Sequence, residues 1–225
     1  MTMMRMLATT AIVAMTLLAG SAAASAVMPG AVDPVRSRQA ANEVTIGQDG
    51  SYQVVLSEKV EMRAEAHFSF GGTVHDGFRL SDDGSVIPPY LRAEYAAPES
   101  TIDGAAVSSA FEVQNHAVSI AVGDDFDEGT HRGAIRYDVT SAAVPTADGY
   151  VVYVRPIALG ETTITATDAI ASVECVGIPP DAAECGHETA DAWVIGADEF
   201  GIAGVVKITL AGDPDGVADA HIDRG

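Results

Sequence analysis

Residues 52–62 read YQVVLSEKVEM, and this stretch decides the class of fold. Apolar and polar side chains alternate along it, with a period of two that is typical of a strand burying one face and exposing the other. The stretch therefore predicts a half-buried β-strand. The apolar positions assigned to its inner face are Tyr52, Val54, Leu56, Val60 and Met62.

Three further runs extend this pattern along the chain. His131–Thr140 alternates in the same way, Tyr150–Ile157 is apolar on both faces, and Ala203–Leu210 is a further strand candidate. Clusters of Gly and Asp separate the runs, and these residues tolerate the backbone of tight turns. No long segment has a helical period. The sequence predicts an all-β fold, an antiparallel immunoglobulin-like β-sandwich.

In one further run the alternation of apolar and polar residues shifts by one position. Between Phe111 and Val122 the apolar residues move from odd to even positions. A shift of one residue exchanges the two faces of a strand, so the pattern predicts a β-bulge near Asn115 and His116.

The N-terminus has the three parts of a secretory signal. Arg5 provides the positive charge, Leu7–Leu18 is uncharged and apolar, and Ala24-Ser25-Ala26 has the small residues that a signal peptidase needs. We predict a signal peptide over residues 1–26 and an exported chain, secreted or at the cell surface. A retained membrane anchor is the alternative. Ser21 stands where a lipoprotein would have Cys, which argues against a lipid anchor.

The remainder divides into three predicted parts: a flexible, proline-broken leader over residues 27–42, one β-sandwich domain over 43–212, and a flexible acidic tail over 213–225. The formal charge of the whole chain is −20. Such a surface repels phosphate backbones, so nucleic acid is a poor candidate partner. An unidentified protein or envelope component is the expected partner.

The chain has two cysteines, Cys175 and Cys185. In an exported protein an even number of cysteines indicates a disulfide, here closing a loop of about ten residues. A metal or redox pair is the alternative, because His187 lies nearby, but no fourth ligand has a recognised spacing.

Four segments in order carry a resemblance to a family: VTIGQDGSYQVVLSEKVEM, HFSFGGTVHDGFRL, FEVQNHAVSIAVGDD with GTHRGAIRYDVTSAAV, and ITATDAIASVECVGIPPDAAECG. Over residues 43–217 the chain resembles the extracytoplasmic N-terminal domain of an uncharacterised family of bacterial predicted membrane proteins (domain of unknown function twenty-two-oh-seven). The resemblance implies a surface-exposed β-sandwich tethered by downstream membrane helices. It implies no catalytic residues, and no membrane tether is evident in this chain.

Acidic clusters are the candidate cation sites. Calcium prefers six to eight oxygen ligands, and the C-terminal segment places carboxylates at close spacing. Its ligand set is incomplete, so an acidic tail without calcium is the favoured interpretation. The candidates are Asp213, Asp215, Asp219 and Asp223. A second acidic run, Asp124–Glu128, is interpreted as a solvated turn.

No catalytic constellation is found. The six histidines lack a zinc-binding spacing, and there is no GxSxG motif for a serine hydrolase. The aromatic residues are interpreted as core. We predict a non-catalytic module for surface or envelope interaction that needs no cofactor. A secreted carbohydrate- or calcium-binding module is the alternative, and a secreted hydrolase is a third.

Overall fold

The computed structural model describes residues 33–80, 90–176, 182–200, 204–217 and 220–223. The predicted signal peptide lies outside them. The described residues form strands and one short 3-10 helix at Pro214–Gly216. In chain order the strands are β1 (Val35–Ile46), β2 (Tyr52–Met62), β3 (Ala66–His75), β4 (Gly77–Arg79), β5 (Tyr90–Arg92), β6 (Glu94–Tyr95), β7 (Glu99–Ile102), β8 (Ala105–Val107), β9 (Ala110–Gln114), β10 (Ala117–Phe126), β11 (Gly129–Thr140), β12 (Ala143–Thr146), β13 (Gly149–Val154), β14 (Glu161–Ala166), β15 (Ala169–Val176), β16 (Ala182–Glu184), β17 (His187–Glu188), β18 (Trp193–Ile195), β19 (Val205–Ala211) and β20 (His221–Asp223).

These strands form four sheets. The largest has nine strands in the order β17-β18-β14-β1-β2-β11-β7-β8, with β6 also paired to β11. A second sheet has the order β3-β10-β9, a third β12-β13-β19-β15-β16, and a fourth β20-β5-β4. Strands β1 and β14 run parallel, and the other pairings between described strands are antiparallel. The prediction of an all-β sandwich fold is confirmed.

The core lies on the inner face of the nine-stranded sheet. Strand β2 has the predicted bounds, and all five of its predicted inward residues are buried. Phe70 of β3 lies directly over Gly133 of β11, where an added Cβ would stand 2.4 Å from the Phe70 ring. Gly133 thus lets the β3-β10-β9 sheet approach closely. The hydroxyl of Tyr137 accepts the Ile157 amide at 3.3 Å, joining the same inner face to the segment after β13.

Strand β1 corrects the predicted leader. From Val35 onward the residues assigned to a flexible segment belong to a strand, and Asn42 at the end of that segment is buried. The first half of β1 is mostly exposed, so it carries little periodic signal. Its strand conformation comes from pairing with β2 over the whole length. Residues from Pro34 onward form one compact unit, which begins before the predicted domain boundary.

The predicted flexible tail is also wrong in part. The 3-10 helix at Pro214–Gly216 is capped by Asp213, whose side chain accepts the Asp215 amide. Strand β20 pairs with β5, and Ile222 packs against the core. Val217 and Ala220 also pack against the core, so three apolar residues hold this part of an otherwise acidic segment.

The parity change at Asn115 and His116 is a hairpin rather than the predicted bulge. Both residues have positive φ, at 51° and 64°, and they connect the antiparallel strands β9 and β10. A tight two-residue turn of this kind reverses the chain, so the apolar set resumes on a new strand.

No helix among the described residues has the length and apolar character that crossing a membrane requires.

Candidate functional site

The outer face of the nine-stranded sheet carries a transverse row of small side chains. The register aligns Ala41 with Ser57, Ser57 with Ala134, Ala134 with Thr101, and Thr101 with Ala106. The row therefore crosses β1, β2, β11, β7 and β8, and Glu161 of β14 extends it at one end. We call this row and the groove above it the trough.

Longer side chains border the trough on both sides. Gln39, Lys59 and Arg132 form the aligned row on one side. On the other side the aligned residues are Glu43, Val55, Arg136 and Glu99. Residues two apart on a strand are about 7 Å apart and strands are about 4.8 Å apart, so the trough is about 13 Å between its borders and about 24 Å long.

Two open grooves overlap along this row. The first has a volume of about 930 Å³ and extends from Ser57 and Lys59 to Leu159 and Ala197. The second has a volume of about 710 Å³ and extends to Pro98 and Phe111. Both are lined by Thr101 and Ala134, so they form one continuous surface depression.

An ion pair with a buried carboxylate lies on the inner face of β1 and β2, beneath the trough. The Glu58 carboxylate, with its side chain 1% exposed, accepts a 2.6 Å hydrogen bond from Arg38, whose side chain is 42% exposed. The second Glu58 oxygen faces the Gly71 amide at 3.4 Å, and Arg38 also donates to the Gly71 carbonyl at 3.2 Å. The pair therefore fixes β1 and β2 against β3. The Arg38 guanidinium also lies over the Phe68 ring.

A second polar cluster is buried between the sheets. Tyr52 and Tyr95 both align with Val139 on the inner face, and their buried hydroxyls lie close enough for each to affect the pKa of the other, without forming a well-aligned hydrogen bond. The Nε of Arg155 is buried without a partner among the described residues, although its Nη1 donates to the His75 carbonyl at 2.7 Å. Burial raises the pKa of Tyr95 to about 12, opposed by the nearby Arg155 charge. Burial also lowers the pKa of Arg155.

Tyr95 connects this cluster to a smaller groove of about 450 Å³. Asp76 and Arg92 line the same groove and form an ion pair at 3.1 Å. Arg92 also approaches Asp223 at 3.7 Å. Arg92, Asp76 and Asp223 are therefore engaged with one another, and the trough is the polar groove of greater extent.

The predicted disulfide is confirmed. Cys175 and Cys185 are bonded, with their Cα atoms 5.6 Å apart. The bond ties the end of β15 to the residue after β16, and the Cys185 carbonyl accepts the Trp193 indole N–H at 2.8 Å. This contact links the disulfide to β18 at the edge region of the nine-stranded sheet.

The calcium candidates are distributed over different elements. Asp213 and Asp215 share the cap of the 3-10 helix, Asp223 lies in β20 beside Arg92, and Asp219 lies outside the described residues. Within the part of the chain that the structure describes, no group of three or more His, Cys, Asp or Glu residues is arranged to hold a metal ion. The expectation that the protein needs no cofactor stays a prediction, with calcium binding as its alternative.

The second acidic run, the histidines and the aromatic residues that the sequence analysis considered lie in three different environments. Asp124, Asp125, Asp127 and Glu128 are exposed, and Asp125 lies 3.2 Å from His67. His131 contacts Asp103 at 3.0 Å. Among the aromatic residues, Tyr52, Phe70 and Phe78 are buried, whereas Phe68, Tyr95 and Trp193 are partly buried against the core.

Sequence reasoning missed both Glu58 and the trough. Glu58 occupies an inward position of the alternating 52–62 stretch, so a carboxylate on a buried face was a readable signal. The trough could not be found in this way, because its row appears only after five strand pairings are known.

The fold and the trough define an all-β sandwich protein with an open groove on one sheet face. No family model matches the chain, and no curated protein matches it. The resemblance to the predicted-membrane-protein family stays a prediction.

Three solved structures show a partial similarity to the chain. A candidate nutrient-binding protein from Legionella pneumophila has 10% identity and a TM-score of 0.41, over 77% of this chain and 66% of that chain. An aminopeptidase N family protein from Idiomarina loihiensis has 10% identity and a TM-score of 0.40, over 78% and 29%. Yeast LTA4 hydrolase has 7% identity and a TM-score of 0.39, over 81% and 31%. The chain thus covers less than two thirds of each, and likeness at this level carries no argument about function.

Proposed function

We propose that this protein is an exported, non-catalytic binding module that holds an extended chain along the trough. The observation that carries the proposal is the aligned row of small side chains between two rows of longer ones. A row of this length suits a linear ligand better than a compact one. Ser57, Thr101 and Gln39 provide hydroxyl and amide groups along it.

Export is part of the proposal and rests on the signal-like N-terminus. The Cys175–Cys185 bond supports it, because disulfides persist mainly in oxidising compartments. Expression in a bacterial host with N-terminal sequencing of the product tests this part. A mature chain that begins at Val27 is expected, and an intact N-terminus on a cytoplasmic product would contradict it.

Binding is tested by co-sedimentation of the purified protein with insoluble linear polymers: chitin, cellulose and peptidoglycan sacculi. Sedimentation with at least one of them is expected. Ser57→Trp, which fills the floor of the trough, should abolish it. Thr146→Trp adds the same side chain at an exposed position of β12 and should have no effect. Failure to sediment with any polymer, or equal sedimentation of both variants, would overturn the proposal.

A further inference from the structure

Two cations are neighbours within one border row of the trough. Lys59 of β2 and Arg132 of β11 are directly opposed in the register, and both side chains are exposed. No carboxylate among the described residues forms an ion pair with either side chain. Both side chains line the groove of about 930 Å³.

Carboxylates outnumber cations in this chain, with 32 acidic residues against 12 Lys or Arg residues. Among the described cations, Arg36, Arg38, Arg92 and Lys207 each have a carboxylate within ion-pair distance, whereas the others, Lys59 and Arg132 included, have none among the described residues. Lys59 and Arg132 are set apart from the other unpaired cations by being directly opposed on neighbouring strands. Opposed like charges on neighbouring strands destabilise a sheet. An anionic group of a ligand between Lys59 and Arg132 would relieve that repulsion.

The nearby acid is already engaged. Asp103 accepts the backbone N–H of Arg132 at 2.8 Å and contacts the His131 ring at 3.0 Å. The His131 hydrogen bond, followed by the Arg132 amide and the two nearby charges, lowers the pKa of Asp103. Its carboxylate is thus held at the turn after β7 by the His131 ring and the Arg132 amide, close enough to the Arg132 charge to be stabilised by it. Glu161 and Asp198 also line the groove, and neither forms an ion pair with Lys59 or Arg132.

The net charge limits how many anions the ligand carries. A chain of charge −20 repels a dense polyanion, while screening confines the favourable local contact to about 8 Å at physiological salt. The occupant is therefore a largely neutral chain with isolated anionic groups. A carboxylate fits, because it accepts charge-assisted hydrogen bonds from both Lys and Arg.

The position on a sheet face favours a glycan over a peptide. Extended peptides typically bind at a sheet edge, where unpaired backbone groups complete a ladder. Except for β8 at the end of the sheet, the strands beneath the trough are paired on both sides: β1 with β14 and β2, β2 with β1 and β11, β11 with β2 and β7, and β7 with β11 and β8. Recognition must come from side chains such as Ser57, Thr101 and Gln39, which suit a hydroxylated chain.

From these contacts we infer that the trough binds a linear glycan with isolated carboxylates, one of which lies between Lys59 and Arg132. The inference rests on the proposed function and adds the chemical class of the ligand.

Calorimetric titration of the purified protein with two hexasaccharides tests the inference. Hyaluronan hexasaccharide has a carboxylate on alternate sugars, and chitohexaose has none. Hyaluronan should bind at least about tenfold more tightly than chitohexaose, because it makes one additional charge-assisted contact. Lys59→Gln/Arg132→Gln should remove this preference. Arg63→Gln/Arg79→Gln changes the net charge equally at exposed positions outside the trough and should keep it.

Equal binding of the two glycans, unaffected by Lys59→Gln/Arg132→Gln, would overturn the inference. If Ser57→Trp still blocked chitohexaose in that case, the proposed function would stand. Tighter binding of a glutamate-containing peptide than of hyaluronan would overturn the glycan assignment. The inference is supported if Ser57→Trp binds neither glycan and Arg63→Gln/Arg79→Gln still prefers hyaluronan to chitohexaose.

Discussion

The carboxylate of Glu58 and the guanidinium of Arg38 are 2.6 Å apart, with the glutamate buried and the arginine half exposed. The same two strands carry an exposed pair, Arg36 with Glu61 at 2.7 Å. These pairs have the same chemistry and nearly the same separation. They differ in burial, which makes them a matched comparison within one protein.

We expect Arg38→Met to lower the free energy of unfolding by about 3 kcal/mol, because it leaves a buried carboxylate without its cation. Arg36→Met should change it by less than about 0.5 kcal/mol, as for other exposed pairs. Urea unfolding of the variants measures both. Arg38→Met/Glu58→Leu should recover most of the loss. Equal effects of the two single substitutions would contradict the role given to burial.

The tyrosine hydroxyls allow a second comparison. Tyr52→Phe removes a buried hydroxyl that lies beside the Tyr95 hydroxyl without a well-aligned hydrogen bond, so stability should be unchanged or rise by about 1 kcal/mol. Tyr150→Phe removes a 2.9 Å hydrogen bond to Asp168 and should cost about 1 kcal/mol. Thermal unfolding of the two variants provides the measurement. A clear loss in Tyr52→Phe would mean that its hydroxyl has a partner after all.

The His131–Asp103 contact makes stability depend on pH. The hydrogen bond to Asp103 raises the pKa of His131, and the same bond lowers the pKa of Asp103. The histidine contribution is therefore complete below its unfolded pKa of about 6.5 and is lost as pH rises through the raised folded value. The aspartate contribution is present above about 3.9 and is lost as pH falls through the lowered folded value.

Asp103→Asn keeps a residue that tolerates the positive φ of 48° at this turn while removing the charge. We expect its NMR titration to show a lower His131 pKa than the wild type. In the wild type the free energy of unfolding should fall as pH rises from about 6.5 to the pKa of His131 in the folded protein, and in Asp103→Asn this fall should be absent. His75→Asn, at an exposed histidine elsewhere, should preserve the wild-type profile. An unchanged His131 titration in Asp103→Asn would refute the assignment.

The disulfide contributes by limiting the unfolded chain. Its cysteines are separated by 10 positions, for which loop-closure entropy predicts about 2–3 kcal/mol. Cys175→Ser/Cys185→Ser should lose this amount. The single tryptophan, Trp193, reports unfolding by fluorescence because its indole contacts the Cys185 carbonyl. A reducing agent should destabilise the wild type and leave the double variant unchanged; a response of both would point to another cause.

Short-range patterns predicted the strands that bury one face. The bounds of β2 follow directly from alternation, since every inward residue of the pattern meets the core. Strand β1 was missed because Arg36–Gln39 is exposed throughout and is held by a partner. The hairpin at Asn115 and His116 was misread because a bulge and a two-residue turn both exchange parity in the sequence. Backbone direction separates them, and no local pattern records it.

The parallel pairing of β1 with β14 joins Ala41 to Glu161. More than half of the chain separates β1 from β14, so β1 can pair with β2 long before β14 has been synthesised. Contacts between residues so far apart raise the contact order, which slows folding. Until β14 arrives, one edge of β1 stays open to other chains, a state that favours association over folding. Assembly of this protein should accordingly depend on its concentration, and refolding from urea should give higher yields as the protein is diluted.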